Sequence, residues 1–403
     1  MEKCDHKEAV SILTDNISTT EICTVSLDDM YGRILAEDIV AKENVPAFAR
    51  SPYDGYAFRA MDTLTASKEE PVKLKVLENI RAGQVAENEV LKNTAIRLMT
   101  GAPIPEGADC VCKFEDTVFT DEEVRIDHPY SKGENVISEG EDIKKGTLLA
   151  KAGERIDVGI IGTAASLGTG KIKVYKRPLA GIIATGDEIV GADDWLPYGK
   201  IRNSNSHTIA AALSQMGIDS VYLGHAKDSV SEIEDLISKG EVSCDVIIST
   251  GGVSVGDYDL VPDAMEKKGY RILVNGVKMK PGMACAYGIK DGRLMLGLSG
   301  NPASSLTNLQ CICAPALRKL QGLKAYDHKI IKMLIREDFT KGSNGVRFIR
   351  GSAGFDDGRV VLKIQSDQGN IVISSMIGCN AYGIVPKDRI PVFAGDIIEG
   401  FLI

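Results

Sequence analysis

The sequence predicts a multidomain α/β plus β protein, with a doubly wound α/β domain at its centre, a β-rich insertion before it and a compact β domain after it. Three observations predict this. The chain has 403 residues, more than one ordinary core accommodates. From Arg177 to about Leu323 a rhythm of strand, glycine loop and helix repeats, the pattern of a parallel sheet. Between about 41 and 147, and again after about 328, short β-rich runs separated by Gly and Pro take over.

In chain order, Ala9, Val10, Ile12, Leu13 and Ile17 fall at helical spacing, and residues 25–27 read as a short strand before a turn at Tyr31 and Gly32. The insertion carries β-rich runs at 72–76, 95–99 and 110–112. A Gly/Ala-rich helical stretch at 158–167 and a strand at 171–175 then return to the N-terminal segment. The expected division is 1–40 with 148–176, 41–147, 177–327 and 328–403. In the central region, 179–184 is a continuous apolar run of the kind buried on both faces, as are 246–249 and 294–298. A helix at 206–216 ends at Gly217, where a left-handed residue terminates it. Beyond 328 the run 360–364 reads as strand.

Composition excludes several classes. Lys plus Arg number 47 against 56 Asp plus Glu, a net charge of −9, which argues against sequence-independent nucleic-acid binding. No apolar run approaches the ~20 residues of a membrane span, and the charged N-terminus leads into no signal-type apolar segment, so a cytoplasmic protein without a membrane partner is expected. Nine scattered cysteines without a CxxC read as reduced thiols. Five histidines with no paired metal spacing, and no HExxH, Walker or GxSxG motif, leave electrostatic catalysis on phosphate as the expected chemistry.

Open parallel sheets bind ligands beyond the carboxyl ends of their strands. Three segments should reach that edge: Thr185-Gly186-Asp187-Glu188; Thr250-Gly251-Gly252-Val253-Ser254-Val255-Gly256, followed by Asp257 and Asp259; and Ser299-Gly300-Asn301-Pro302-Ala303-Ser304. Glycines let backbone N–H groups approach a phosphate. Asn301 can cap the next helix, with Pro302 in its first position. The carboxylates of Asp187, Glu188, Asp257 and Asp259 suit Mg²⁺, which takes oxygen ligands and bridges phosphates. Each segment alone is more often an ordinary turn; the three on one edge point to a phosphorylated, metal-assisted ligand. Lys280-Pro281-Gly282 offers a fixed cation for an oxyanion or an exposed turn lysine. Arg347 and Arg350 read equally as anion clamps or as surface charge. In the insertion, Asp54 within SPYDGYA and Thr100 within TGAPIPEGAD sit at constrained turns.

SPYDGYA, TGAPIPEGAD, GEDI, ATGDEI, TGGVSVGDYD, KPG and LSGNPAS occur in the order found in the MoeA family of molybdopterin molybdenumtransferases, which the chain resembles over essentially its whole length. That family is similar to the C-terminal part of gephyrin and to plant molybdenum insertases. The central region alone also resembles the smaller molybdopterin adenylyltransferases. The resemblance implies an elongated domain, an inserted β domain, an α/β molybdopterin-binding domain and a C-terminal β-barrel, assembled as a homodimer. It implies adenylylated molybdopterin and molybdate as substrates, AMP as a product, Mg²⁺ as cofactor and transient contact with a molybdopterin adenylyltransferase. It places Asp54, Thr100, Asp142, Glu188, Asp228 and Asp259 in catalytic positions, with Glu188, Asp257 and Asp259 around the metal. Lys280, Ser304 and Arg350 match the molybdate pocket. Four positions depart from the family pattern: Ile137, Gly276 and Met283, where basic residues are common or frequent, and Asn370, where serine often stands. Up to three positive charges are thereby lost, so weaker molybdate affinity is expected. The competing readings are the adenylylation step and a non-catalytic molybdopterin-binding scaffold.

Overall fold

The computed structural model describes residues 2–253 and 260–403. It divides into two compact units: one built from residues up to Glu37, Ala152–Asp157 and Lys171–Ile403, the other from Asp38–Lys151 and Val158–Gly170.

The first unit is organised by a six-stranded sheet. Its strands run in the order Asp219–Ala226, Leu179–Thr185, Val246–Thr250, Arg293–Leu298, Cys285–Lys290 and Arg271–Asn275. The first four are parallel, and the last two are antiparallel additions. Alternate side chains sort to two faces, as a pleated strand requires. Ala180, Ile182, Val246, Ile248, Leu294 and Leu296 pack with helices α1 (His6–Asp15), α3 (Asn205–Met216) and α7 (Ala314–Leu320). Ile183, Ile247 and Met295 pack with α4 (Val230–Ser243) and α5 (Val261–Lys267) on the other face. Both faces are therefore apolar, which is why these strands read as unbroken hydrophobic runs. The α2 helix (Val158–Ser166) lies in the second unit.

Cys285–Lys290 turns back into Arg293–Leu298 at Asp291 and Gly292, whose φ values of 49° and 77° are those of the tight hairpin that Asp-Gly favours. This reversal sets Cys285 opposite Leu298 and so carries the segment before it, 276–284, to the carboxyl edge of the parallel strands. Strand Met279–Lys280 leaves the central sheet and pairs in parallel with Val346–Arg347. The barrel itself closes through five strands: Val346–Asp356, Arg359–Ile364, Ile331–Ile335, Ile397–Leu402 and Ala381–Val385, the last returning to the first. The N-terminal strand Ile22–Ser26 pairs antiparallel with Lys171–Tyr175.

The second unit is a six-stranded sheet in the order Cys110–Lys113, Gly55–Phe58, Thr94–Leu98, Val72–Ile80, Glu123–Ile126, Val118–Phe119. Its two faces bury Tyr56, Phe58, Leu74 and Val124 on one side and Ala57, Ile96, Leu98 and Val111 on the other. Among the described residues no helix is long and apolar enough to cross a membrane.

Candidate active site

Three of the expected segments do meet at one edge. Thr185, Thr250 and Leu298 end adjacent parallel strands. Gly251 donates its amide to the Leu298 carbonyl at 2.9 Å, and Thr185 Oγ1 donates to the Thr250 carbonyl at 3.3 Å. Gly251 and Gly252 hold φ of +100° and +65°, in the left-handed region that favours glycine. A Cβ on Gly251 would also come within 2.7 Å of the Thr185 carbonyl oxygen, so the close approach of the two turns depends on its absence. Gly300 lies directly against the Gly251 backbone. Ser254, Gly256, Asp257 and Asp259 lie outside the described residues.

Asp187 and Asp228 latch the two neighbouring turns. The Asp228 amide donates to Asp187 Oδ1 at 3.1 Å and the Asp187 amide to Asp228 Oδ2 at 3.4 Å. His225 Nε2 meets the Gly186 carbonyl at 2.7 Å, and Lys200 Nζ donates to the Asp187 carbonyl at 2.6 Å. Glu188 is exposed beside them, and its carboxylate takes part in no hydrogen bond or ion pair among the described residues. Among those residues no group of three or more His, Cys, Asp or Glu converges on a metal position.

Asn301 is at the start of α6 (Pro302–Asn308) with an extended backbone, and Pro302 takes the first helical position as expected. The expected side-chain cap is not made. Instead Ser299 Oγ accepts the Asn301 amide at 3.2 Å, and the Ala303 amide goes to the carbonyl of Asn370 at 3.2 Å.

Asn370 belongs to a loop of the barrel domain, and through it the cationic residues join the edge. The reading of Arg347 and Arg350 as surface charge is overturned: they are 2% and 0% exposed. Arg347 Nη2 donates to the Gln368 carbonyl at 3.3 Å. Arg350 Nη2 reaches the Asp367 and Gly369 carbonyls at 3.3 and 3.0 Å, and its Nε reaches Ser375 Oγ at 3.1 Å. Among the described residues Arg350 Nη1 and Arg347 Nε are buried without a hydrogen-bond partner, while the Arg347 guanidinium lies over the Phe339 ring, 5.0 Å from its centroid. Burial, and Arg350 next to it, pushes the Arg347 guanidinium down to about 10, and burial lowers that of Arg350 as well. In strand register Lys280 lies opposite Arg347, with its side chain exposed.

From Lys280 the chain turns through Pro281 and Gly282 onto α6. The Gly282 Cα is packed against the Ser304 carbonyl and Asn308, leaving little space for a side chain. Asn308 Nδ2 donates to the Gly282 carbonyl at 2.8 Å, and Asn308 Oδ1 accepts the buried Tyr287 hydroxyl. Immediately after Asn308 the helix widens into a π turn, Leu309–Cys313, a distortion that recurs at functional sites. The contacts thus close a ring: the start of α6, Asn370, the 367–369 loop, Arg350 and Arg347, Lys280, Gly282 and back to Ser304, which is 3% exposed.

Asp54, Thr100 and Asp142 lie in the second unit. Asp54 precedes strand Gly55–Phe58 and Thr100 follows the strand paired with it, so Asp54 Oδ1 accepts both the amide and the hydroxyl of Thr100, each at 2.7 Å. Those bonds hold the Asp54 carboxyl below its ordinary range. Asp142 is exposed in a turn whose amides bond Val45, and Ile137 exchanges backbone bonds with Arg50.

Sequence reasoning missed Asn205, Gln368 and Asn308. Asn205 Nδ2 ties Thr250 Oγ1 at 2.7 Å to the Gly300 carbonyl at 2.8 Å, while its Oδ1 is buried and unpartnered. The Asn203-Ser204-Asn205 run across the start of α3 was its only signal. Gln368 bonds both backbone groups of Arg350, at 3.0 and 2.9 Å; nothing local in sequence marks it.

An α/β domain with glycine turns at one sheet edge, joined to a five-stranded barrel that contributes two buried arginines, defines the class of architecture. Residues 4–168 match the MoeA N-terminal region (domain I and II), 181–319 the family described as "Probable molybdopterin binding domain" and 332–402 the MoeA C-terminal region (domain IV). A molybdopterin molybdenumtransferase of Staphylococcus epidermidis is 37% identical over 398 residues, covering 98% of this chain and 94% of that one. One from Staphylococcus aureus is 38% identical over 347 residues, covering 86% and 83%. Two crystal structures of the molybdopterin biosynthesis MoeA protein of Pyrococcus horikoshii superpose with TM-scores of 0.86 and 0.84 at 29% and 28% identity; both alignments cover all of this chain, and 99% and 100% of theirs. The chain belongs to the MoeA family, and it is a transferase of molybdenum-cofactor biosynthesis.

Proposed function

We propose that the enzyme inserts molybdate into adenylylated molybdopterin and releases AMP. The observation that carries this reading is the pair of buried arginines with unpartnered N–H groups, Arg350 Nη1 and Arg347 Nε. A buried cation lacking counter-charge costs several kcal/mol, and a small dianion in the ring around Lys280, Arg350 and Ser304 would offset that cost. Molybdate has the charge and the oxygen acceptors such donors recognise. The turns at Gly186, Gly251, Gly252 and Gly300, with Thr185, Asn301 and Pro302, offer a second anion site suited to the phosphates of the adenylylated substrate.

In this reading backbone amides at the strand ends orient the phosphates. Lys280 and the arginines hold the oxyanion; one molybdate oxygen adds to the adenylyl phosphorus and departs with it as AMP, while the two dithiolene sulfurs bind molybdenum and their protons leave with a second oxo ligand as water. Asp54, Thr100 and Asp142 act from the inserted unit in a homodimer. Glu188, Asp257 and Asp259 would hold Mg²⁺. Glu188 suits it, being a hard oxygen donor not engaged by backbone amides, whereas Asp187 and Asp228 are each engaged by one. When bound, that ion neutralises charge on the phosphate oxygens. The test is to incubate the enzyme with adenylylated molybdopterin and measure AMP with and without molybdate. Molybdate-dependent release is expected; AMP release indifferent to molybdate, or ATP consumption with free molybdopterin, would overturn the assignment.

A further inference from the structure

Beside the ring described above, Lys3 brings an ammonium that forms no ion pair among the described residues. The segment Glu2–Asp5 lies along residues 276–278: Cys4 forms a parallel bridge with Val277, its amide donates to the Gly276 carbonyl at 3.3 Å, and its carbonyl accepts the Lys278 amide at 2.8 Å. Glu2 pairs with Lys278 at 3.0 Å. Lys3, between these anchors, is directed the other way. Its aliphatic stem crosses Gly276, where an added Cβ would come within 2.9 Å of Lys3 Cγ. Its ammonium ends 3.4 Å from the sulfur of Met283, the residue directly after Lys280-Pro281-Gly282. A thioether is a weak acceptor, so the ammonium is held in place there without being neutralised. Gly276, with φ +84°, thus provides the passage for a lysine arriving from a remote part of the chain.

We propose that Lys3 is a further anion-binding residue of the molybdate site, supplying positive charge at the 276–283 side of the Lys280 turn. The proposal rests on the insertase reading of that turn. The ammonium is partly exposed, so it contributes charge without a burial penalty, and the Lys3 backbone is flanked by the Cys4 pairing on one side and the Glu2–Lys278 ion pair on the other. Positions 276 and 283 carry no charge of their own, and Lys3 reaches both.

The experiment measures molybdate binding to the intact protein by equilibrium dialysis, and molybdate-dependent AMP release, for Lys3→Met, Lys3→Arg, Lys3→Met/Met283→Lys and Lys280→Met. Lys3→Met should raise the half-saturating molybdate concentration about three- to tenfold, as expected for one partly solvated charge near a dianion. The difference should shrink as ionic strength rises, while half-saturation by the adenylylated substrate and the melting temperature stay as in the parent. Lys3→Arg should retain affinity, and Met283→Lys should restore it by delivering charge to the same place from the other chain segment. Unchanged molybdate affinity in Lys3→Met, alongside a clear loss in Lys280→Met, overturns the role of Lys3 alone. Unchanged affinity in both variants overturns the molybdate assignment of the turn.

Discussion

The two halves of the α/β and barrel unit that face the proposed substrates are built on opposite rules. At the strand ends, the turns pair with one another: Asp187 and Asp228 exchange backbone bonds, Gly251 bonds Leu298, and Asn205 ties Thr250 to Gly300, and what is left over there is an acceptor, Asn205 Oδ1. On the barrel side, Arg347 and Arg350 are buried with N–H groups left over. A cross-bonded edge keeps its shape whether or not ligand is present. A buried guanidinium with an unpartnered N–H is a local cost that the fold tolerates, and such costs concentrate where a ligand completes the bonding. Under the proposed function, leftover N–H donors assign the incoming anion to the barrel side of the site.

The sharpest way to break this contrast is Arg350→Met. Without ligand, the substitution removes a charge that the interior solvates incompletely, so the thermal midpoint should move little, because the lost bonds to the 367–369 carbonyls are offset by the lost desolvation cost. Molybdate-dependent AMP release should fall about a hundredfold or more, the scale for losing a preorganised charged donor. Melting curves and rates on the same preparations check both halves. A variant that melts far below the parent and yet turns over normally would mean the arginine is merely structural.

Much of this was legible in the sequence because it is local. The unbroken apolar runs at Leu179–Thr185 and Val246–Thr250 follow from burial on both faces, and the glycine turns follow their strands directly. What was not legible depends on contacts between remote segments. No periodicity reports that the chain reverses at Asp291 and Gly292, so Cys285–Lys290 runs against its neighbours on both sides where an all-parallel sheet was expected. Arg347 and Arg350 sit three residues apart in a strand, a spacing silent about burial. The loss of charge at Gly276 and Met283 looked like a deficit because nothing in the chain order brings Lys3 there. The Asn301 side-chain cap was a sound local expectation, displaced by a loop more than sixty residues away in sequence, at Asn370.

A smaller effect sharpens the contrast from the other side. Tyr287 and Asn308 are fully buried polar groups that do satisfy each other, and together they hold the Gly282 carbonyl, setting the turn that carries Lys280. Tyr287→Phe keeps the ring and removes one buried hydrogen bond, leaving Asn308 Oδ1 with only the weak Cys313 thiol donor at 3.5 Å. The expected loss is about 1.5 kcal/mol of stability, read by denaturant titration. Half-saturating molybdate should rise about threefold, well short of the Arg350 effect. An unchanged denaturation midpoint together with parental molybdate dependence would remove this pair from the account.

The smallest effect concerns a group that the same region refuses to charge. His328 stacks on Phe401 with ring centroids 3.8 Å apart, its Nε2 lies 3.3 Å from the Cys311 carbonyl, and its Nδ1 lies 3.3 Å from Arg318 Nη1. That pattern selects the neutral ring, with Nε2–H donating to the carbonyl and Nδ1 accepting from the guanidinium. Burial first, and the Arg318 charge second, hold its pKa down to about 4. Below an unfolded value of about 6.5, the unfolded chain takes up a proton that the folded one still refuses. Stability from this group is therefore complete above neutrality and falls as pH drops from about 6.5 towards 4, by about 1 kcal/mol at pH 5.5. His328→Phe keeps the stacking and removes the titration, so its denaturation midpoint should change less between pH 7.5 and 5.5 than that of the parent. Equal slopes in the two proteins would show that the folded ring takes up a proton as readily as the unfolded one, and so is mostly charged at pH 5.5. The region would then carry a further buried cation with no anion to meet it, and the contrast between the two halves would lose its meaning.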